Sequence, residues 1–89
     1  MVERRNKVET IVDILSVLQA RGRLKTTHIL YKSNLSHVKL KALLDELMAK
    51  KLVHEEVEGT TRLYSLTDEG VKFLQEFGKM KRFTDSFGF

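Results

Sequence analysis

The sequence predicts a mainly helical α+β domain. Three observations carry that reading. Apolar residues recur at helical spacing through residues 8–51, the period changes from 3.6 to 2 between Val53 and Leu66, and a capped helical pattern resumes at Thr67.

The first helix is expected over residues 6–20, where Val8, Ile11, Val12, Leu15 and Leu18 form one stripe between polar residues. Ile14 and Val17 widen the apolar face, and Gly22, between Arg21 and Arg23, supplies a C-terminal stop. A short second helix follows to about Lys32, capped by Thr26 or Thr27, with Ile29 and Leu30 facing inward and Tyr31 at the edge. Ser33, Asn34 and Leu35 break the period: Asn tolerates left-handed backbone, and Leu35 can bury its side chain in the turn. Ser36 then caps a third helix over residues 37–51. Leu40, Leu43, Leu44 and Leu47 define its inner face, opposite Val38, Lys41, Ala42, Asp45 and Ala49.

After Leu52 the pattern is that of a two-stranded hairpin. Val53, Glu55 and Val57 alternate with His54, Glu56 and Glu58, residues 58–61 turn, and Leu63 to Leu66 alternate on the way back. Thr67 caps a last helix whose first turn holds Asp68 and Glu69, where the helix dipole favours negative charge. Val71 and Leu74 can return to the core. Phe73, Phe77, Met80, Thr84 and Phe87, spaced 4, 3, 4 and 3, form a short coiled-coil-like seam.

Composition narrows the function. The chain has 89 residues, so one small domain with a thin core is expected, and pairing with a second copy would ease the shortage of buried surface. Without cysteine it holds no disulfide, thiolate metal site or cysteine nucleophile. Apolar runs are far too short to span a bilayer, so the expected location is cytoplasmic. The net charge of +4 is unevenly placed: residues 1–52 carry eleven Lys and Arg against five Asp and Glu, residues 53–89 five against seven. His28, His37 and His54 lack a metal-ligand spacing, Ser36 beside His37 is simply a cap, and no Gly-rich phosphate loop occurs. Neither an enzyme nor a cofactor is expected.

Three helices and a hairpin, with a short second helix and a sharp turn before a capped third, is the order of a winged helix-turn-helix. In that geometry the third helix buries one face and offers the other to the DNA major groove. Thr27, Ser36, His37, Val38, Lys39, Lys41 and Ala42 are the candidate contacts there, with Arg62 at the wing. Lysines reach phosphates or guanine edges, and Val38 and Ala42 suit a thymine methyl. Asp45 is a costlier contact beside phosphates, and Glu55, Glu56 and Glu58 oppose deep insertion of the wing. Arg4, Arg5 and Lys7 are either phosphate contacts or a solvated end. Phe73, Phe77, Met80 and Phe87 are the candidate dimer interface, an apolar strip too large for a monomer surface.

These residues also resemble the archaeal winged helix-turn-helix proteins, which include small transcriptional regulators and dimeric chromatin proteins. The resemblance spans about residues 8–77. It rests on Tyr31-x-x-Asn34-Leu35-Ser36, on Leu40 to Leu44 with Leu47, on Lys51-Leu52-Val53, and on Tyr64-x-Leu66-Thr67-x-x-Gly70 with Phe73 and Leu74. It implies double-stranded DNA binding as a homodimer, with residues 37–50 as the recognition helix and 68–87 as the dimer helix. Lys51 stands where such proteins usually have glycine, and the terminal helix is shorter than in the chromatin members, which favours a regulator. The expected organisation is a DNA-binding unit over residues 1–67 and a dimerisation helix over 68–89, located in the cytoplasm at the nucleoid. A protein-interaction module and a sequence-nonspecific chromatin protein are the alternatives.

Overall fold

The side chain of Asn6 opens the first helix by accepting from the Glu9 backbone N–H at 2.8 Å, while Glu9 reaches back to the Asn6 N–H. This capping box starts α1 (Lys7–Arg21), and Gly22, at φ 89°, ends it. The computed structural model describes residues 6–88, in the order α1, β1 (Arg23–Lys25), α2 (Thr26–Ser33), α3 (His37–Ala49), β2 (Val53–Glu58), β3 (Thr61–Leu66) and α4 (Asp68–Ser86). None of the described helices is long and apolar enough to cross a membrane.

The expected two-stranded hairpin is in fact two-thirds of a three-stranded antiparallel sheet in the order β1-β3-β2. The third strand is Arg23-Leu24-Lys25, which pairs with Ser65, Tyr64 and Leu63. Three residues with one apolar side chain have no local reason to extend. Their pairing with β3, far along the chain, supplies it.

The core joins Ile11, Ile14, Leu15 and Leu18 of α1 to Ile29 of α2, Leu40, Leu44 and Leu47 of α3, Val53 of β2 and Tyr64 of β3. The stripe on α1 is therefore rotated from its expected setting: Ile14 is buried and Val8 is exposed. The threonine cap expected on α2 is also absent, since Lys25 takes the cap position with no side-chain hydrogen bond. The turn after α2 follows expectation, with Asn34 left-handed at φ 60°, Leu35 against the core, and Ser36 accepting from the Lys39 N–H at 3.2 Å.

At its other end α3 closes with the two hydrogen bonds of a Schellman motif. The Leu52 N–H donates to the Leu47 carbonyl at 2.9 Å and the Lys51 N–H to that of Met48 at 3.0 Å. This geometry places Lys51 at φ 61°, in the left-handed region that glycine occupies without strain. Thr67 ties this turn to α4. Its hydroxyl donates to the Lys51 carbonyl at 2.6 Å and accepts from the Gly70 N–H at 3.0 Å, while its own N–H donates to the Leu52 carbonyl at 3.2 Å. Gly70 is needed because a Cβ there would collide with the Leu52 carbonyl and the Leu66 side chain. The Tyr-x-Leu-Thr-x-x-Gly pattern is thus a joint between α3, β3 and α4.

Candidate nucleic-acid interface

Burial of Leu40, Leu44 and Leu47 turns the opposite ridge of α3, made of Val38, Ala42, Asp45 and Ala49, to solvent. Val38 is 77% exposed. The ridge is low because three of its four side chains are small. Lys41 and Lys39 lie on its two flanks, about 100° or less off the crest by helical geometry. His37, at the exposed first turn, completes this end of the helix.

The Lys41 flank faces the wing. Lys41 Nζ donates to Asp45 Oδ1 at 2.9 Å, one helical turn on, and this bond holds the ammonium above the ordinary lysine range. The charge of Arg62 on β3 acts weakly the other way. Tyr64, two residues on from Arg62 in β3, is fully buried and its hydroxyl donates to Glu55 Oε2 at 2.9 Å. The same carboxylate oxygen accepts from Arg62 at 3.4 Å. Burial first, then the Glu55 bond, pushes the Tyr64 phenol above the usual tyrosine range, while the Thr26 side chain also hydrogen-bonds it and acts the other way. From sequence, Glu55 reads only as an acid unfriendly to DNA. Its role as the partner of both Tyr64 and Arg62 follows from the cross-strand register Glu55↔Tyr64, which strand alternation alone does not disclose.

On the opposite flank Lys39 and Ala42 line a groove between α1 and α3 with Lys7 and Glu46. There Lys7 Nζ donates to Glu46 Oε1 at 2.8 Å and lowers the Glu46 carboxyl below its ordinary value. Thr27 and Ser36 come together in a shallow groove between α2 and the start of α3, where the Ser36 hydroxyl is already occupied as the cap. Arg4 and Arg5 lie outside the described residues. The other acids of β2 are matched by Arg23, at 2.8 Å from Glu56 and 3.7 Å from Glu58. Among the described residues, no group of three or more His, Asp or Glu is placed to hold a metal ion.

Of the expected seam, Phe73 packs against the domain core and Phe77 is half-buried. Met80 and Phe87 are 56% and 64% exposed, and Phe83, passed over by the 4-3-4-3 spacing, is 66% exposed with its ring 5.0 Å from that of Phe87. The outward strip on α4 therefore follows residues 80, 83 and 87, which also fit helical spacing. Beside it runs an open groove between α4 and α1, lined by Val12, Phe77, Met80 and Thr84 among others.

The winged helix-turn-helix family model matches residues 4–85. Among solved structures, the fold is similar to MepR, a transcription regulator of the Staphylococcus aureus multidrug efflux pump MepA, with a TM-score of 0.78 and 21% identity over 88% of this chain and 60% of MepR. It is similar to BpsR of Bordetella bronchiseptica, whose DNA binding is regulated by 6-hydroxynicotinic acid, with a TM-score of 0.74 and 18% identity over 86% of this chain and 57% of BpsR. AF1382 of Archaeoglobus fulgidus gives a TM-score of 0.72 and 21% identity over 89% of this chain and 90% of that one. The chain thus spans little more than half the length of BpsR and MepR, and at these identities the likeness is one of fold. No curated protein matches it in sequence. With the family model covering all but the ends, and three helices, a winged sheet and a fourth helix in the matching order, the chain belongs to the winged helix-turn-helix family.

Proposed function

We propose that this protein binds double-stranded DNA as a homodimeric transcriptional regulator, laying α3 in the major groove with the β2–β3 wing alongside. The observation that carries the reading is the α3 surface: a low exposed ridge of Val38, Ala42, Asp45 and Ala49 with Lys39 and Lys41 on its flanks. Small side chains on the crest let the helix approach base edges, and flanking cations meet the two phosphate walls of the groove. His37 and Thr27 extend the contact toward the amino ends of α3 and α2. Ser36 contributes through the cap that fixes α3. The solvent-exposed Lys41–Asp45 pair and the long, 3.4 Å Arg62–Glu55 contact hold these cations only weakly in the free protein and leave them to phosphate.

Residues 1–67 act in this reading as the DNA-binding unit and 68–89 as the dimerisation helix, with the DNA-bound protein in the cytoplasm at the nucleoid. The strip of Met80, Phe83 and Phe87, continuous with the α1–α4 groove at Met80, is the surface a second copy would cover. Phe77 supports it from within the groove, and Phe73 anchors the helix to its own domain. Glu55, Glu56 and Glu58 favour a second reading, a protein-interaction module using the same wing.

Salt titration separates the two. DNA affinity should fall steeply with salt, and Lys41→Ala should lower the log–log slope by about one. No binding to mixed genomic fragments at low salt would refute the DNA reading. For the dimer, sedimentation should give twice the chain mass at micromolar protein and the monomer mass for Phe87→Glu. A wild-type monomer would refute it.

A further inference from the structure

The Tyr31-x-x-Asn34-Leu35-Ser36 motif is only partly explained by the fold. Asn34 supplies the left-handed residue, Leu35 packs on the core and Ser36 caps α3. Tyr31 does nothing comparable for the fold. Its side chain is 89% exposed, more than any other large hydrophobic side chain among the described residues. It stands at the edge of a groove of about 300 Å³ in the corner formed by α1, β1 and α2. Val17 and Leu24 give this groove an apolar floor, and Arg21, His28 and Lys32 surround it.

The lining of this corner is basic and holds no acid. Among the described residues neither Arg21 nor Lys32 forms an ion pair, which they share with Lys25, Lys39, Lys50, Lys51, Lys72, Lys81 and Arg82; what sets this corner apart is that two such cations and a histidine ring an apolar groove whose lining contains no acid. Asp13 lies outside this lining, in the adjoining α1–α2 crevice that it shares with Lys32 and in the groove between α1 and α4. No lining residue comes from α3, the wing or α4. The corner therefore stands apart from α3, the wing and the surface assigned to the second copy, and it meets the Thr27–Ser36 groove only at Tyr31.

We propose that this corner docks an acidic segment of a partner protein, with one apolar side chain seated on Val17 and Leu24 beside Tyr31 and flanking carboxylates meeting Arg21, His28 and Lys32. Cations alone would serve a nucleic acid equally well. The apolar floor decides the matter, because a duplex presents phosphate and sugar on its outside and nothing that fills a concave apolar groove, whereas a leucine or phenylalanine side chain does. Exposed tyrosine fits the same role, since its ring adds contact area with few rotatable bonds to immobilise.

The test uses the full chain, isotopically labelled and titrated with a short peptide of glutamates around a central leucine–phenylalanine pair. A peptide with that pair replaced by serines and an oligothymidylate are run in parallel. Amide shifts are expected at Val17, Leu24, His28 and Tyr31 with the first peptide, and affinity should fall about tenfold for Tyr31→Ala, a substitution at a side chain that supports no packing. Lys32→Glu should weaken binding as well. The serine peptide should bind at least about tenfold more weakly than the first. The proposal is overturned by no corner shifts at roughly millimolar peptide, by equal binding of the serine peptide, by an unchanged affinity of Tyr31→Ala, or by tighter binding of the oligothymidylate to the same residues.

Discussion

Replacing Lys51 with glycine should stabilise the protein, although it removes a lysine side chain and inserts the least helix-prone residue but one. Lys51 follows the last turn of α3 at φ 61°, fixed there by the Leu52 to Leu47 and Lys51 to Met48 hydrogen bonds and by Thr67 on its carbonyl. A side chain in the left-handed region is unfavourable by about 1–2 kcal/mol, and glycine removes that strain. Against it, glycine gives the unfolded chain extra freedom worth about 0.5–1 kcal/mol. The difference is a net gain of about 0.5–1 kcal/mol, which for a domain of this size corresponds to a melting temperature higher by roughly 2–8 °C. Lys51→Ala keeps the strain and should stay within about 0.5 kcal/mol of wild type, while Lys51→Val, branched at Cβ, should lose more than about 1 kcal/mol. Thermal and urea unfolding at one fixed protein concentration provide the assay, because dimerisation would make the midpoint depend on concentration. A Lys51→Gly protein no more stable than Lys51→Ala would refute the reasoning and place the strain elsewhere.

The reverse substitution at the same joint should do the opposite: Gly70→Ala is expected to destabilise by about 2–3 kcal/mol despite alanine's higher helix propensity, since its Cβ meets the Leu52 carbonyl and the Leu66 side chain. A neutral urea midpoint would contradict this. For Tyr64 the folded protein raises the phenol's pKa, through burial and then the Glu55 hydrogen bond, so its contribution is complete below about pH 10 and is lost as pH rises through the raised value. Stability should therefore fall on the alkaline side more steeply in wild type than in Tyr64→Phe, and parallel curves would refute the assignment. Asp45→Asn releases Lys41 and removes a carboxylate from the α3 ridge; DNA affinity at low salt should rise by about three- to tenfold, with a steeper salt dependence. Unchanged or weaker binding would show that Asp45 is not at the DNA face.

Where the sequence is legible, the reason is local chemistry. Ser36 and Thr67 declare their caps because each precedes a long helical apolar pattern, whereas the threonines ahead of the two-turn α2 do not cap it, and Asn34 declares a left-handed turn because its short polar side chain tolerates that backbone. The leucines of α3 define its inner face unaided, since their spacing admits one burial solution. What stays hidden depends on partners distant in the chain. The strand at Arg23-Leu24-Lys25 exists only because β3 pairs with it, and the choice of Ile14 over Val8 on α1 reflects how the whole layer of helices packs, not the stripe itself. At the candidate site, Lys41 and Arg62 can be named from composition and element order, but the sharing of Glu55 by Arg62 and Tyr64 needs the strand register. Phe83 escapes the sequence reading because a heptad spacing and a helical strip diverge by one residue in that turn.

The central claim is that the ridge of α3 is the DNA-reading surface, and the most direct measurement is a map of amide shifts on adding a duplex selected from random sequence. The largest changes are predicted at His37 to Ala42 and at Arg62, with smaller ones at Thr27 and none on the outward strip of α4. Shifts confined to the α1–β1–α2 corner or to α4, with α3 silent, would contradict the account.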